Sequence, residues 1–406
     1  VPLGKPYEEF RQMTLFDMSS EMTDEELEAI PSKIYDWRRD NSIRFNKLKE
    51  MKAMGHKLFD FVIGNPPYNE AAPGDSTSDK PVYHIFFDEV SKVSDKVELV
   101  TPGRFLFNAG ATPKEWNKKM LSSKHVKVLE YEENASRYFG NTAITGGVAV
   151  TYIDNTREFK PIDIFVPYDE LKNIILKVKA YKGFESLNSI ISGRTPYLFT
   201  DKMHEDFPEA ILMLSKGHAS DISSNAFTAL PNIFLQVCPS DENKYYRVLG
   251  RLNNKRAYFW IRREYARGRL DEYIGTWKVF LPKANGASGM LGKEAARLIS
   301  KPVVGSPEEI ATDTFIVVGH YDNQYEAESV LKYLNSKFSR ALLGALKVTQ
   351  INSKETWEYV PLQNFTSSSD IDWSKSVHEI DLQLYRKYGL DEKEINFIES
   401  HVKEMA

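Results

Sequence analysis

Residues 59–70 read FDFVIGNPPYNE, and this stretch decides how the rest of the chain is arranged. Phe59, Phe61, Val62 and Ile63 are strand formers and the run stops at Gly64, which predicts a short buried strand. Asn65 follows. Pro66 and Pro67 then each fix their own φ, remove a backbone donor and restrict the residue before them. The chain after Gly64 is therefore expected to be a stiff, extended, donor-poor segment at a strand tip. Such rigidity is costly unless a carbonyl or a side chain has to be held in one place.

Outward from this tip the pattern alternates. PVYHIFFDEVSKVS (81–94) predicts a helix with Pro81 at its start, KVELVTP (96–102) a strand, and TPKEWNKKMLSS (112–123) a helix opening at Thr112. VKVLEYEE (126–133) reads as a strand, and GGVAVTYIDN (146–155) as a last strand close enough to pair with it. Strand–helix alternation with short connections argues for an α/β sheet of mainly parallel strands. The strand before NPPY should end at its carboxyl edge, where ligands bind in open α/β folds. Upstream, residues 21–55 are charged and helical in pattern: Ser20 or Thr23 caps DEELEAI, and SIRFNKLKEMKAMG runs to a stop at Gly55.

Past about residue 180 the texture changes. LNSIISGRTPYLFT, YRVLGRLNNKRAYFWI, TWKVFLPKANGASG and TDTFIVVGHYDN are short strand-like runs parted by Gly, Asn and Pro, with a helical stretch over 326–347. This predicts a second, α+β domain. The end of the chain reads as a helix, a break at Gly389, and a helix capped by Asp391. The expected divisions are 1–180, 181–365 and a helical segment 366–406.

With 406 residues the chain is long enough for two or three cores, and 42% hydrophobic with 27% charged residues is ordinary globular composition. One cysteine, Cys238, rules out an internal disulfide framework and fits a reducing cytoplasm. No apolar run reaches the roughly 18 residues of a membrane span, and no secretory signal opens the chain. Scattered histidines and a single cysteine argue against a protein-held metal. The chain starts at Val1 and reads as the middle of a longer protein, or as a piece cut from one.

Asn-Pro-Pro-Tyr suits one chemical problem. The exocyclic amine of adenine is a poor nucleophile, because its lone pair is delocalised into the ring. Two fixed acceptors, one for each N–H, draw the nitrogen toward tetrahedral geometry, and the Asn65 side-chain oxygen and the Pro66 carbonyl can supply them. Pro67 adds stiffness and no competing donor. Tyr68 offers a face for a base flipped out of the duplex, worth about 1–3 kcal/mol of stacking.

Here the sequence resembles the amino-methyltransferases that use S-adenosylmethionine, with their (Asp/Asn/Ser)-Pro-Pro-(Tyr/Phe/Trp) motif. Asp60 before the apolar run is also similar to the family's pattern, and the Asn form resembles its adenine-N6 DNA branch, found in restriction–modification systems of type IIG-like organisation. The resemblance covers residues 58–155. It implies a partial Rossmann-like methyltransferase sheet, then an α+β target recognition domain, and the helical tail. It implies Asn65, Pro66, Pro67 and Tyr68 as catalytic residues. Phe139, with Tyr138 its rival, would be the second aromatic against the base. Asn65 and Phe86, with Tyr83 nearby, would lie on the S-adenosylmethionine side.

The glycine-rich turn that this cofactor needs is not found before residue 58, and GASGMLGKEAARL (286–298) reads as a loop. The cofactor strands are expected upstream of Val1, with RQMTLFD (11–17) a remnant of the third, so activity of this chain alone stays open. Residues 241–300 hold 13 Lys or Arg against 6 Asp or Glu. Arg256, Arg262, Arg263, Arg267 and Arg269 alternate with Tyr258, Trp260 and Tyr265, which suits contact with double-stranded DNA. Residues 347–365, 370–375 and 385–399 resemble the tails of methylases fused to or partnered with restriction endonucleases. No nuclease signature is present, so a nuclease is expected outside the chain. Two alternatives stay open: a non-catalytic DNA-specificity module, and an NPPY methyltransferase acting on RNA or protein glutamine.

Overall fold

The computed structural model describes residues 33–36 and 41–44 as backbone, and 57, 59–70, 79–140, 144–285, 290–292 and 294–405. The chain divides into two units. One comprises Val1–Pro102, Ala111–Glu132 and Val148–Asp163, and the other Gly103–Gly110, Glu133–Gly147 and Ile164–Ala406. It is a mixed α/β protein built on several small sheets. Among the described residues no helix is long and apolar enough to cross a membrane.

In the first unit, β1 (Lys33–Asp36) and β2 (Asn41–Arg44) pair antiparallel with Ile34 opposite Ile43. This corrects the helical expectation for that part of 21–55. β-Branched residues such as Ile34 and Ile43 favour strand over helix. The expected DEELEAI helix, the segment 45–55, and RQMTLFD lie outside the described residues.

The main sheet of this unit has the order β3 (Val62–Gly64), β6 (Lys96–Pro102), β8 (Val148–Asp154), β7 (Val126–Glu132). β3 runs parallel to β6, while β8 is antiparallel to both β6 and β7. β3, β6 and β7 thus share one direction. Only one neighbouring pair is parallel, however, because the last strand returns through the slot between β6 and β7. The prediction of mainly parallel pairing fails for that reason. β3 is also not buried: it stands at the end of the order, with Ile63 73% exposed.

Helix α1 (Tyr83–Val93) buries Tyr83 and Phe87, four residues apart and so on one face. Trp116 of α2 (Lys114–Ser122) packs on both rings, at centroid distances of 6.3 and 5.8 Å. Pro81 belongs to the short β5 (Lys80–Pro81), which pairs with β4 (Asn69–Glu70), and α1 opens after Val82. Thr112 does not cap α2; its hydroxyl donates to Asn117 Oδ1 at 2.8 Å.

The second unit holds β9 (Tyr197–Phe199) paired with β12 (Ala266–Gly268), and the sheet β11 (Lys255–Arg262), β10 (Tyr245–Leu252), β15 (Glu309–Ala311). A further sheet has the order β14 (Val303–Gly305), β13 (Trp277–Pro282), β16 (Phe315–Tyr321). One core lies under β9–β12 and takes in Phe227, Phe234, Phe259 and Phe280. The other gathers α3 (Asp169–Ala180), α5 (Gln324–Asn335), α6 (Lys337–Gly344), α7 (Val377–Lys387) and α8 (Glu392–His401). A short helix α4 (Glu272–Gly275) precedes β13.

The stretch 326–347 forms two helices because Ser336 leaves the first and caps the second, accepting from Ser339 N. Asp381 of α7 also accepts from the Lys337 and Phe338 amides. α7 and α8 each start with a capping box, and Gly389 between them takes φ +62°. Arg340, fully buried, donates to the carbonyls of Asn335, Ser336, Arg297 and Lys403, which fastens the end of the chain to α6.

Candidate functional site

The NPPY segment leaves β3 where that strand ends in register with Leu99 of β6. It is held at both ends. On the far side, the Tyr68 carbonyl accepts from Val82 N at 3.0 Å, and Asn69 pairs with Pro81. Asn65 and Pro67 are exposed, while Pro66 and Tyr68 are half-buried. Burial pushes the Tyr68 phenol up, and the neighbouring Asn65 side chain works the other way. Among the described residues the Pro66 carbonyl accepts no hydrogen bond, so one fixed acceptor stays available. Gly64 is not forced by sterics: a Cβ there would lie 3.5 Å from Leu99 Cδ2, ordinary contact.

Phe86 is half-buried, whereas Tyr83 and Phe87 on the same helix are core residues at 3% and 1% exposure. Phe86 is therefore less enclosed than Tyr83. Phe139 lies in the second unit, just after the short turn Ala135–Arg137, with its amide bonded to the Ala135 carbonyl. It is half-buried and meets the exposed Tyr138 edge-on, with centroids 6.5 Å apart.

The basic stretch does not form one stripe. Arg256 and Arg262 stand on β11, Arg263 follows it, and Arg267 sits on β12 in a different sheet. Three of the five arginines have carboxylate neighbours. Arg262 reaches Glu264 at 3.2 Å, Arg263 reaches Glu308 at 2.6 Å, and Arg269 lies 4.0 Å from Asp221. Arg256 donates to the Lys301 carbonyl and lies over the Phe315 ring; burial pulls its guanidinium pKa down, opposed by Tyr258 and reinforced by Arg251.

The β10–β11 pairing supplies residues that the sequence reading passed over. Its register sets Tyr245 opposite Arg262, Arg247 opposite Trp260, and Arg251 opposite Arg256. Directly opposed residues share a face, so Arg247 and Arg251 join Arg256, Tyr258, Trp260 and Arg262 on the outward side. Arg247 lies 3.8 Å over the Tyr258 ring and pairs with Glu309 at 2.7 Å. The signal was present in the sequence: Asn253-Asn254, both with positive φ, is the two-residue turn of a tight hairpin. Among the described residues no group of three or more His, Cys, Asp or Glu is placed to hold a metal.

No curated protein matches the chain. The solved structures similar to it include two restriction enzymes. One is the type IIG restriction endonuclease BpuSI, at 10% identity over 84% of this chain and 54% of that one, with a TM-score of 0.29. The other is the type IIL restriction-modification enzyme MmeI in complex with DNA, at 12% identity over 87% of this chain and 57% of that one, with a TM-score of 0.42. The chain spans a little over half the length of each. Residues 8–139, which contain Asn65–Tyr68, Phe86 and Phe139, match the family described as Eco57I restriction-modification methylase.

Proposed function

We propose that this chain carries the base-binding part of an S-adenosylmethionine-dependent DNA methyltransferase that acts on the N6 amine of adenine in a restriction–modification system. One observation carries the reading: a strand tip of sequence Asn-Pro-Pro-Tyr, pinned at both ends, inside a segment matched to a restriction-modification methylase. The Asn65 oxygen and the Pro66 carbonyl accept the two N–H groups of a flipped adenine, and Tyr68 takes one of its faces. S-adenosylmethionine supplies the electrophilic methyl group. The half-buried Phe86 and the exposed Asn65 are the residues here that would lie against it. The chain's contribution is positioning and polarisation, without a covalent intermediate.

On this reading residues 1–180 belong to the catalytic domain, 181–365 recognise double-stranded DNA, and 366–406 close the helical core. A restriction endonuclease domain or subunit would act with it in the cytoplasm. Calorimetry with S-adenosylmethionine on this chain and on the full-length gene product, followed by methyl transfer to duplex DNA, tests the reading. A full-length product that binds no S-adenosylmethionine leaves a DNA-specificity module as the better account. Asn65→Ala is expected to abolish methyl transfer with the fold intact; an active variant would refute the role given to Asn65.

A further inference from the structure

Beside the Asn253-Asn254 turn, Arg251 and Arg256 face each other directly across the hairpin. Like charges in that position destabilise a sheet, and the usual remedy, an intervening carboxylate, is missing: among the described residues neither arginine forms an ion pair. Each spends a donor on a backbone carbonyl, Arg251 on Asn254 and Arg256 on Lys301. A guanidinium carries five N–H donors, so most of both forks is left over. The two arginines line a cleft of about 480 Å³ together with Ser224, Asn254, Lys283 and Asp313. Lys283 and Asp313 neutralise each other at 2.6 Å. The positive charge left in the cleft is that of the arginine pair.

From this geometry we infer that the Arg251–Arg256 pair is a phosphate clamp, taking one phosphate ester in the cleft at the hairpin turn. Paired guanidinium forks match phosphate oxygens in number and planarity. The cleft has room for the sugar attached to that phosphate. Tyr258 and Trp260 continue the same outward face of β11, as apolar surface for the rest of a nucleotide chain. A bound phosphate removes the repulsion that the empty pair carries. The clamp differs in this respect from Arg247, Arg262 and Arg263, which already have carboxylates to satisfy them. For a DNA backbone phosphate the inference rests on the proposed DNA-acting function; for a free phosphate ester it does not.

Two arms test it on the whole chain. In the first, duplex affinity is followed by fluorescence anisotropy between roughly 50 and 200 mM salt, where each neutralised phosphate adds about 0.9 to the log–log slope. Arg251→Gln with Arg256→Gln should lower the slope by about 0.9, one phosphate rather than two, and weaken binding about tenfold whatever the DNA sequence. Arg251→Lys with Arg256→Lys keeps the charge and should keep the slope while losing affinity, which a merely structural role would not produce. In the second arm, pyrophosphate is titrated calorimetrically into the wild type and the Gln pair. Loss of pyrophosphate binding in that variant, with duplex binding unchanged, assigns the clamp to a free phosphate ester. An unchanged slope and unchanged pyrophosphate binding in a variant that melts like wild type overturn the clamp. A wild-type chain with no salt-dependent duplex binding refutes the DNA reading, and the pyrophosphate arm still decides the clamp.

Discussion

Lys278 lies inside the second unit with no exposed surface, and its ammonium donates to three carbonyls. Two, Tyr273 and Ile274, belong to α4, and the third is Glu309 of β15, at 2.9, 3.0 and 3.0 Å. It staples the helix to the strand that carries Arg247's partner. Burial pulls its pKa down to about 8, although Glu309 and Glu308 favour the charged form. In Lys278→Met three hydrogen bonds from a charged donor are lost, at about 2 kcal/mol each, and this outweighs the roughly 3.5 kcal/mol of relieved desolvation. The Tyr273 and Ile274 carbonyls keep the Tyr197 hydroxyl and the Glu308 amide as donors, and the Glu309 carbonyl loses its partner. The variant should be about 2–3 kcal/mol less stable near neutrality. The pH dependence fixes the sign. Between about pH 8 and 10.4 the unfolded chain holds a proton that the folded protein has released, so wild-type stability climbs with pH. From about pH 7 to about pH 10 the gain is roughly 2.5 kcal/mol, absent in the variant, so the gap between the two should widen by that amount. Urea unfolding of both proteins across this range reads it. Parallel curves, or a gap that narrows, would refute the assignment of a desolvated ammonium at Lys278.

Gly250 of β10 has no room for a side chain: a Cβ would lie 2.5 Å from Phe227 Cε2 and 2.9 Å from Thr312 Cγ2. Phe227 is pinned by stacking on Phe259 at 4.1 Å, so Gly250→Ala should cost about 1–3 kcal/mol in thermal or urea unfolding. By contrast, Gly64→Ala should change stability by less than about 0.5 kcal/mol, which makes any loss of methyl transfer in that variant a matter of ligand approach. Pro67→Ala restores an N–H and loosens an exposed residue. At about 0.4–1 kcal/mol of backbone entropy it should slow methyl transfer only a few-fold, far less than Asn65→Ala, with the melting curve nearly unmoved.

Elements defined by local pattern were readable in the sequence. β6 occupies the residues that alternation and the closing Pro102 indicated, and the tail helices begin at Ser376 and Asp391, whose side chains accept from the first-turn amides. What escaped depends on distant partners. No local feature of 146–155 says that β8 will lie between β6 and β7, because neighbour choice is settled by packing. The exposure of Ile63 likewise depends on which strands flank β3. Ser336, a cap inside an apolar helical pattern, could have been read as a boundary but is masked by strong formers on both sides.

The two candidate sites were legible to different degrees for a related reason. At the strand tip the chemistry sits in four consecutive residues, so the sequence displays it, and only the Val82 anchor had to come from the fold. In the basic region, charge alone could not separate useful arginines from satisfied ones. Glu308 and Glu309, which neutralise Arg263 and Arg247, stand 45 or more residues away in the chain and arrive only when β15 joins β10. The same pairing that cancels those charges leaves the pair beside the Asn-Asn turn uncancelled. An arginine's value for an anionic partner is set by the carboxylates that the fold fails to bring to it. On that criterion Arg251, which the sequence reading passed over, ranks above Arg262 and Arg263, which it chose.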